Sequence, residues 1–382
     1  MFLKWGHFSY AYRKFIPFVL IGLILVLFGV FGTQLENRMS QEGWEDPNAA
    51  STRAAEIENE VFGRDKSGDV IVMVNNPQEN LEEGRAYVDK LKSSYPEQIA
   101  QVNSYFDTQN PNLLNEAGDT AFIAIGLAGD EEQTLKDFRI IQDALTDTSL
   151  DVEVAGATAV ADALDAGMAA DISRAERAAL PLVGLLLLVV FGSVVAAFMP
   201  LIVGGLSILG SIGILAILAG FLQVNVFAQA VVTLLGLGLA IDYGLFMVSR
   251  FREELDKGRN VKDAVAITTA TAGQTVVFSA AMVAVAISGL FIFPQAFLKS
   301  VAYGSISAVG LAALLSVTLL PALFGMLGHN IDKWSIRRTK RTARRIEDTW
   351  WYRLPKWAMK HAKVMTLAIC GLLIALTLPI LN

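Results

Sequence analysis

Cysteine is nearly absent from this chain. One residue in 382, Cys370, excludes an internal disulfide framework and a cysteine-built zinc site. Histidine is almost as scarce. His7, His329 and His361 each flank an apolar segment rather than clustering, which argues against a metal centre made from them. There is no G-x-x-x-x-G-K-[ST], so the chain carries no P-loop ATPase, and there is no H-E-x-x-H. Gly236-Leu237-Gly238 does not extend into a dinucleotide fingerprint.

Charge is the most telling shortage. Only 18% of residues are Asp, Glu, Lys or Arg, and they are very unevenly spread. Residues 15–35 carry none. Residues 178–249 carry one, Asp242, and residues 264–331 carry one, Lys299. A hydrocarbon core about 30 Å thick needs about 20 apolar residues of helix. Runs this long cannot be hidden inside a soluble domain of this size. The composition therefore excludes a secreted enzyme or a nucleic-acid binder, and it describes a polytopic α-helical membrane protein.

Seven spans fit the pattern. The first is 15–35. A basic segment with Lys4, Arg13 and Lys14 precedes it, so a signal peptide competes with an anchor. The apolar stretch is long for a signal and no A-x-A-like site follows, which favours an uncleaved anchor. The 178–249 run divides at Pro200 and at Gln223-Val224-Asn225 into spans near 178–198, 201–222 and 226–249. The 264–331 run divides around Pro294-Gln295 into 268–290 and 297–327, and 364–382 is the seventh. Basic residues concentrate in the N-terminus, in 250–263 and in 332–363, which fall on one side in a seven-span count. That side is expected to be cytoplasmic, with the N-terminus.

The long loop between the first two spans then lies outside. Residues 33–172 hold 28 acidic against 9 basic residues. It reads as a folded domain. Asp46-Pro47 resembles an N-cap followed by a first helical residue. Strand-like runs are Asp69–Asn75, Ile99–Phe106, Thr120–Leu127 and Asp151–Ala155. Helical spacing links Leu81, Val88 and Leu91, and also Leu135, Phe138, Ile141 and Leu145. From residue 69 the order is βαββαβ, the split ferredoxin-like motif. The expected organisation is thus 1–35 for the N-terminus and first span, 36–175 for the outer domain and 176–327 for spans two to six. A basic, Trp-bearing interfacial segment follows at 328–363, with Trp334, Trp350, Trp351 and Trp357, and the last span is 364–382.

Asp242 is the candidate with chemistry. It stands eight residues before Arg250, about 12 Å of helix rise, which places it near the bilayer midplane. A carboxylate there costs several kcal/mol unless it is paired, hydrated or protonated. Such a group can carry a proton between the two sides, with Tyr243 beside it as a hydrogen-bonding partner. The plainer reading is a structural Asp bonded to neighbouring helices. Thr268, Thr271, Thr275 and Ser279 share one face of the next span, and Ser279 is the deepest of the four. For any one hydroxyl, interhelical bonding is the simpler role. Gly236, Ala240 and Gly244 form a small-residue stripe, as do Gly304, Ala308, Ala312 and Ser316; both read as packing surfaces. An intramembrane aspartyl protease needs two carboxylates, and Asp242 is alone within the spans. Ion-gradient coupling remains, with protons as the coupling ion and no cofactor.

The stretch Gly236-Leu-Gly-Leu-Ala-Ile-Asp-Tyr-Gly-Leu-Phe-Met-Val-Ser-Arg-Phe-Arg-Glu-Glu-Leu255 resembles the fourth-span signature of the MMPL family. This is the branch of the resistance-nodulation-division (RND) transporters named for large mycobacterial membrane proteins. Thr269–Ser279 and Leu319-Leu-Pro-Ala-Leu323 resemble the family's fifth and sixth spans. Trp5-Gly-His and Met39–Asp46 resemble actinobacterial members of corynebacterial or mycobacterial type. The resemblance implies an RND-like bundle with an extracytoplasmic ferredoxin-like porter domain, driven by the proton-motive force. It implies export of lipids or glycolipids such as trehalose mycolates from the inner membrane toward the envelope. Residue by residue, it implies a proton relay at Asp242, Tyr243 and Ser279 and a channel-lining role for Phe246. The partners implied are the lipid substrate, membrane lipids and a C-terminal half or second copy, with no nucleic acid. Family members are about twice this length, with eleven or twelve spans in two repeats. The second Asp-Tyr pair and half of the channel are missing here, so the chain looks like an N-terminal portion. A half-transporter that dimerises is the alternative. Two other classes stay open: a non-transporting scaffold like the sterol-sensing proteins, and a protein-export accessory.

Overall fold

The computed structural model describes residues 1–35, 38–40, 43–63, 66–129, 131–335 and 350–377. They fall into two units, Met1–Trp334 and Ser335–Asn382, each considered by itself. The first begins with α1 (Phe2–Ala11) and α2 (Phe15–Val30). An α/β region follows: α3 (Ala50–Phe62), β1 (Val70–Asn75), α4 (Leu81–Ser94), β2 (Ile99–Ser104), α5 (Tyr105–Thr108), β3 (Thr120–Leu127), α6 (Glu131–Thr146) and β4 (Val152–Ala155). Helical segments then dominate: α7 (Ala157–Phe191), α8 (Val194–Leu218), α9 (Phe227–Asp256), α10 (Val261–Thr268), a π turn (Thr269–Gly273), α11 (Gln274–Ser288) and α12 (Ala296–Leu327). The second unit contains α13 (Trp350–Lys360) and α14 (Ala362–Thr377).

The four strands form one antiparallel sheet in the order β2-β3-β1-β4. The alternation in β1 sends Val70, Val72 and Val74 into the core, and Ala121, Ile123 and Ile125 of β3 do the same. Val88 and Leu91 of α4 and Phe138, Ile141 and Leu145 of α6 complete that core. Gly84 allows α4 to lie directly on Phe106, whose ring would clash with any added Cβ. The Tyr87 hydroxyl donates to the Leu145 carbonyl at 2.8 Å and ties α4 to the end of α6. Arg139 on α6 forms ion pairs with Asp162 and Asp165 on α7.

Two local expectations in this region shift. Helix α3 starts at Ala50, not at Pro47. Asp46 instead closes an Asx turn, accepting from the Asn48 N–H at 2.8 Å, and its carbonyl accepts from the Thr52 hydroxyl at 2.9 Å. The second strand stops at Ser104 rather than running to Phe106. The Ser104 hydroxyl accepts from the Phe106 N–H at 3.0 Å and caps the short α5.

Among the described residues, five helical stretches are long and apolar enough to cross a membrane: Phe15–Gln34, Val194–Leu218, Phe227–Asp256, Val261–Ile292 and Ala296–Asp332. The bent pair Tyr352–Lys360 and Ala362–Thr377, with 87° between its helices, makes a sixth if counted as one span. The chain is a multi-pass membrane protein; among the described residues five or six such spans are found where the sequence suggested seven. The difference lies in the expected second span. Its apolar residues Ala178–Phe191 are the tail of the 35-residue α7, whose earlier turns carry Arg174 and Arg177. The same helix runs unbroken through residues 175 and 176.

The corner between α7 and α8 is also misplaced by the sequence reading. It lies at Gly192-Ser193, and Pro200 sits inside α8. Gly192 ends α7 with φ +65°, and Ser193 caps α8. The Ser193 hydroxyl also reaches the carbonyls of Ile331 (2.9 Å) and Lys333 (3.1 Å) beyond α12. Arg252, buried on α9, donates to the last carbonyl of α7, Phe191, at 2.8 Å and pairs with Asp332. A helix corner without those partners would leave backbone groups unpaired. Part of the 328–363 segment (336–349), the last residues of the seventh expected span (378–382) and Gln41-Glu42 of the Met39–Asp46 segment lie outside the described residues.

Burial raises the Tyr87 hydroxyl well above its ordinary value of 10.0. The folded form therefore holds this proton more tightly than the unfolded form. Its contribution is complete below pH 10 and is lost as pH rises above that value. Tyr87→Phe is expected to remove this alkaline loss and to cost about 1–2 kcal/mol at neutral pH by leaving the Leu145 carbonyl unpaired. Thermal unfolding of the purified chain at neutral and alkaline pH checks both.

Candidate functional site

Helix α9 is the central element of the bundle, packed by α8 on one side and α12 on another. Its contact faces are built from small residues. A Cβ added at Gly244 would lie 2.8 Å from Pro200 Cα, and one at Gly236 would lie 3.4 Å from the Ala308 Cβ. Ala240, between them, is fully buried. Close backbone approach of this kind is how membrane helices gain packing contacts where no hydrophobic force separates lipid from protein. Further along, Phe251 stacks on Phe324 of α12, with ring centroids 4.5 Å apart.

The opposite side of α9 has no such cover. Leu234, Gly238, Asp242 and Phe246 recur every four residues and are all exposed, with Phe246 at 48%. Asp242 therefore lies on an open helical stripe, two turns from Arg250. Among the described residues it makes no hydrogen bond or ion pair. Tyr243, the next residue, points away from that stripe. It is 6% exposed and its hydroxyl is buried without a hydrogen-bond partner among the described residues. Asp242 and Phe246 thus share a face, and Tyr243 backs it from inside the bundle.

Ser279 is not joined to this group. It is half-buried on α11, which packs on α12, and it makes no hydrogen bond to Asp242 or Tyr243 among the described residues. The other hydroxyls of that span are partly spent on their own helix. Thr271 donates to the Ile267 carbonyl at 2.8 Å and Thr275 to the Thr271 carbonyl at 3.3 Å, while the Thr268 hydroxyl is buried without a partner.

What the sequence did not reveal is how α9 meets this span. It does so through α10 and the π turn. Arg250 Nε donates to the Thr271 hydroxyl at 3.2 Å. A Cβ at Gly273 would lie 3.5 Å from Val317 Cγ1 and 3.9 Å from Met247 Cε, so the turn is wedged between α12 and α9. One extra residue in a helical turn frees backbone groups, and such π turns recur at functional positions. Arg250 also pairs with Glu253 (2.8 Å) and with the buried Glu254 (2.9 Å), which Lys257 and Arg259 join. The charges at this end of α9 are mutually compensated, whereas Asp242 is not.

The chemistry available is narrow. A lone carboxylate with no cation or donor beside it is costly to place in hydrocarbon. Among the described residues no three His, Cys, Asp or Glu side chains converge as metal ligands do.

The sequence profile of the MMPL family matches residues 43–361. The chain belongs to the MMPL family. It is 37% identical over 420 aligned positions to the trehalose monomycolate exporter MmpL3 of Mycobacterium tuberculosis, covering 100% of this chain and 44% of that protein. Against the trehalose monomycolate exporter MmpL3 of Mycolicibacterium smegmatis it is 35% identical, covering 100% of this chain and 41% of the relative. The mycolic acid-containing lipids exporter MmpL11 of M. smegmatis matches at 35% over 213 positions, covering 56% of this chain and 22% of MmpL11. The chain thus spans less than half the length of these MMPL relatives.

Packing on the closed side of α9 leaves no space for a larger residue. Gly244→Val forces the added atoms into Pro200 and is expected to lower stability by about 1–3 kcal/mol. Gly238→Val on the open stripe, where nothing lies within 4 Å of a new Cβ, is expected to cost far less. Thermal unfolding of the two variants in the same detergent compares them.

Proposed function

We propose that this chain works as one half of a proton-motive-force-driven MMPL exporter of lipids or glycolipids. The observation that carries the reading is Asp242. It is the single charge in residues 178–249, it has no protein partner among the described residues, and it lies on the one uncovered stripe of an otherwise packed helix. Burying an unpartnered carboxylate in a bilayer is costly. The stripe is therefore read as an interior surface, covered in the working transporter by a C-terminal half or by a second copy of the chain. Asp242 takes up a proton from one side and releases it to the other. Tyr243 supports it from within the bundle, and Ser279 joins the relay when the fifth span moves toward α9. Phe246, one turn from Asp242 on the same stripe, lines the channel. No cofactor enters; the coupling ion is the proton.

The family's lipid chemistry supports the substrate class. Trehalose monomycolate and mycolic acid-containing lipids are named for the relatives, and an amphiphilic glycolipid is proposed for this chain. The antiparallel sheet, whose strand order suits the split ferredoxin-like motif, is assigned as the extracytoplasmic porter domain. Its acidic surface supports that side, and the basic residues of 250–263 and 332–363 support a cytoplasmic N-terminus in the inner membrane. The second unit fits the same orientation. Arg353, Lys356 and Lys360 fall within one sector of α13, and its 87° bend to α14 suits a helix lying along the membrane surface before the chain turns across it.

Glycolipid export in cells whose gene product carries Asp242→Asn tests the reading. Export is expected to stop while the protein is still made and inserted. Export at the normal rate would contradict it and favour a scaffold built on the same fold.

A further inference from the structure

Helix α12 contains Pro321. Proline has no N–H, so the carbonyl four residues earlier loses its helical donor. That carbonyl belongs to Val317. It is supplied from the far end of the chain: the indole Nε1–H of Trp5 donates to the Val317 carbonyl at 3.1 Å. Among the described residues this is the hydrogen bond that joins α1 to the rest of the bundle. His7 and Ser9 of α1 have buried side-chain atoms with no hydrogen-bond partner among the described residues.

The neighbouring residue completes the contact. A Cβ at Gly6 would lie 2.7 Å from Ala266 Cα and 3.1 Å from Thr269 Cβ, so α1 rests directly on α10 and the start of the π turn. Further down, Tyr10 and Arg13 lie against Gly325 of α12. Residues 5 and 6 thus touch both irregular pieces of backbone in this half of the bundle, the proline break and the π turn. Those pieces touch each other and α9 in turn: Val317 meets the turn at Gly273, and Gly273 meets Met247, five residues beyond Asp242.

We propose that Trp5 is a positioning residue for transport. Its N–H replaces the donor that Pro321 removes, and through Val317 and Gly273 it sets how α12 and the π turn seat against the helix that carries Asp242. The effect on transport rests on the proton-coupled reading above; the structural effect does not.

The test uses the full chain with Trp5→Phe, Pro321→Ala and both together, beside Asp242→Asn. Phenylalanine keeps the ring and removes the donor. Alanine at 321 gives Val317 back its own helical N–H and makes the indole unnecessary. In Trp5→Phe, amide hydrogen exchange in the π turn and the adjoining turns of α12 is expected to speed up by about 2- to 10-fold, the worth of one hydrogen bond. Glycolipid export is expected to fall at unchanged membrane abundance. Both are expected to return toward the Pro321→Ala level in the double variant. Unchanged exchange and export in Trp5→Phe, with Asp242→Asn inactive, would overturn the inference and leave the transport reading standing. Loss of export in Trp5→Phe that Pro321→Ala does not relieve would also overturn it, since the bond would then not be the cause. Faster exchange in Trp5→Phe, with Asp242→Asn exporting normally, would keep the Trp5 contact and overturn the transport reading instead.

Discussion

Every backbone N–H and C=O inside a hydrocarbon layer must find its partner within the protein. Regular helices meet that requirement unaided, so the places where this chain departs from a regular helix decide how it is built. At the Gly192-Ser193 corner, Ser193 and Arg252 take up the exposed carbonyls. At the π turn, Thr271 is held by Arg250 from α9. At Pro321, Trp5 supplies the missing donor. Each of these contacts joins segments that lie apart in sequence. The bundle is tied at these three places, and α9 or its immediate neighbours take part in each.

This arrangement gives α9 two unlike sides. One is made of glycine and alanine and accepts its neighbours at close range. The other presents Leu234, Gly238, Asp242 and Phe246 outward. The packed side fixes how the helix seats against α8 and α12. The charged residues at the end of α9 neutralise one another through Arg250, Glu254, Lys257 and Arg259. Asp242 is left without a partner among the described residues, and the proposed proton relay rests on that.

Much of this was legible in the residues. Charge gaps located the apolar helices, and alternation located four strands to within two residues. Asp242 stood out because one charge in 72 residues is hard to explain otherwise. The α7–α8 corner was misread because Pro200 is a louder breaker than Gly192-Ser193, although glycine followed by a capping serine is a proper stop-and-start signal. Apolar residues on both sides of it hid that signal. The π turn had no composition cue, since Thr269–Gly273 reads as ordinary helix. Asp46 was read as the N-cap of a helix beginning at Pro47, whereas it closes a turn and the helix begins three residues later, at Ala50. The Trp5–Val317 bond links residues 312 apart in sequence, and only the fold could bring them together. Ser279 was singled out by its place on the shared hydroxyl face and by the family resemblance; among the described residues it makes no hydrogen bond to Asp242, and its part in the relay remains a proposal.

The central claim is that Asp242 exchanges a proton within the membrane. Carbodiimide attacks a carboxyl in its protonated form, and mass spectrometry locates the adduct. The measurement is carbodiimide labelling of the chain in vesicles across a range of pH. Labelling at Asp242 that rises on acidification and falls on alkalinisation is the expected result. An Asp242 that stays unlabelled throughout, or labels equally at every pH, would contradict the account.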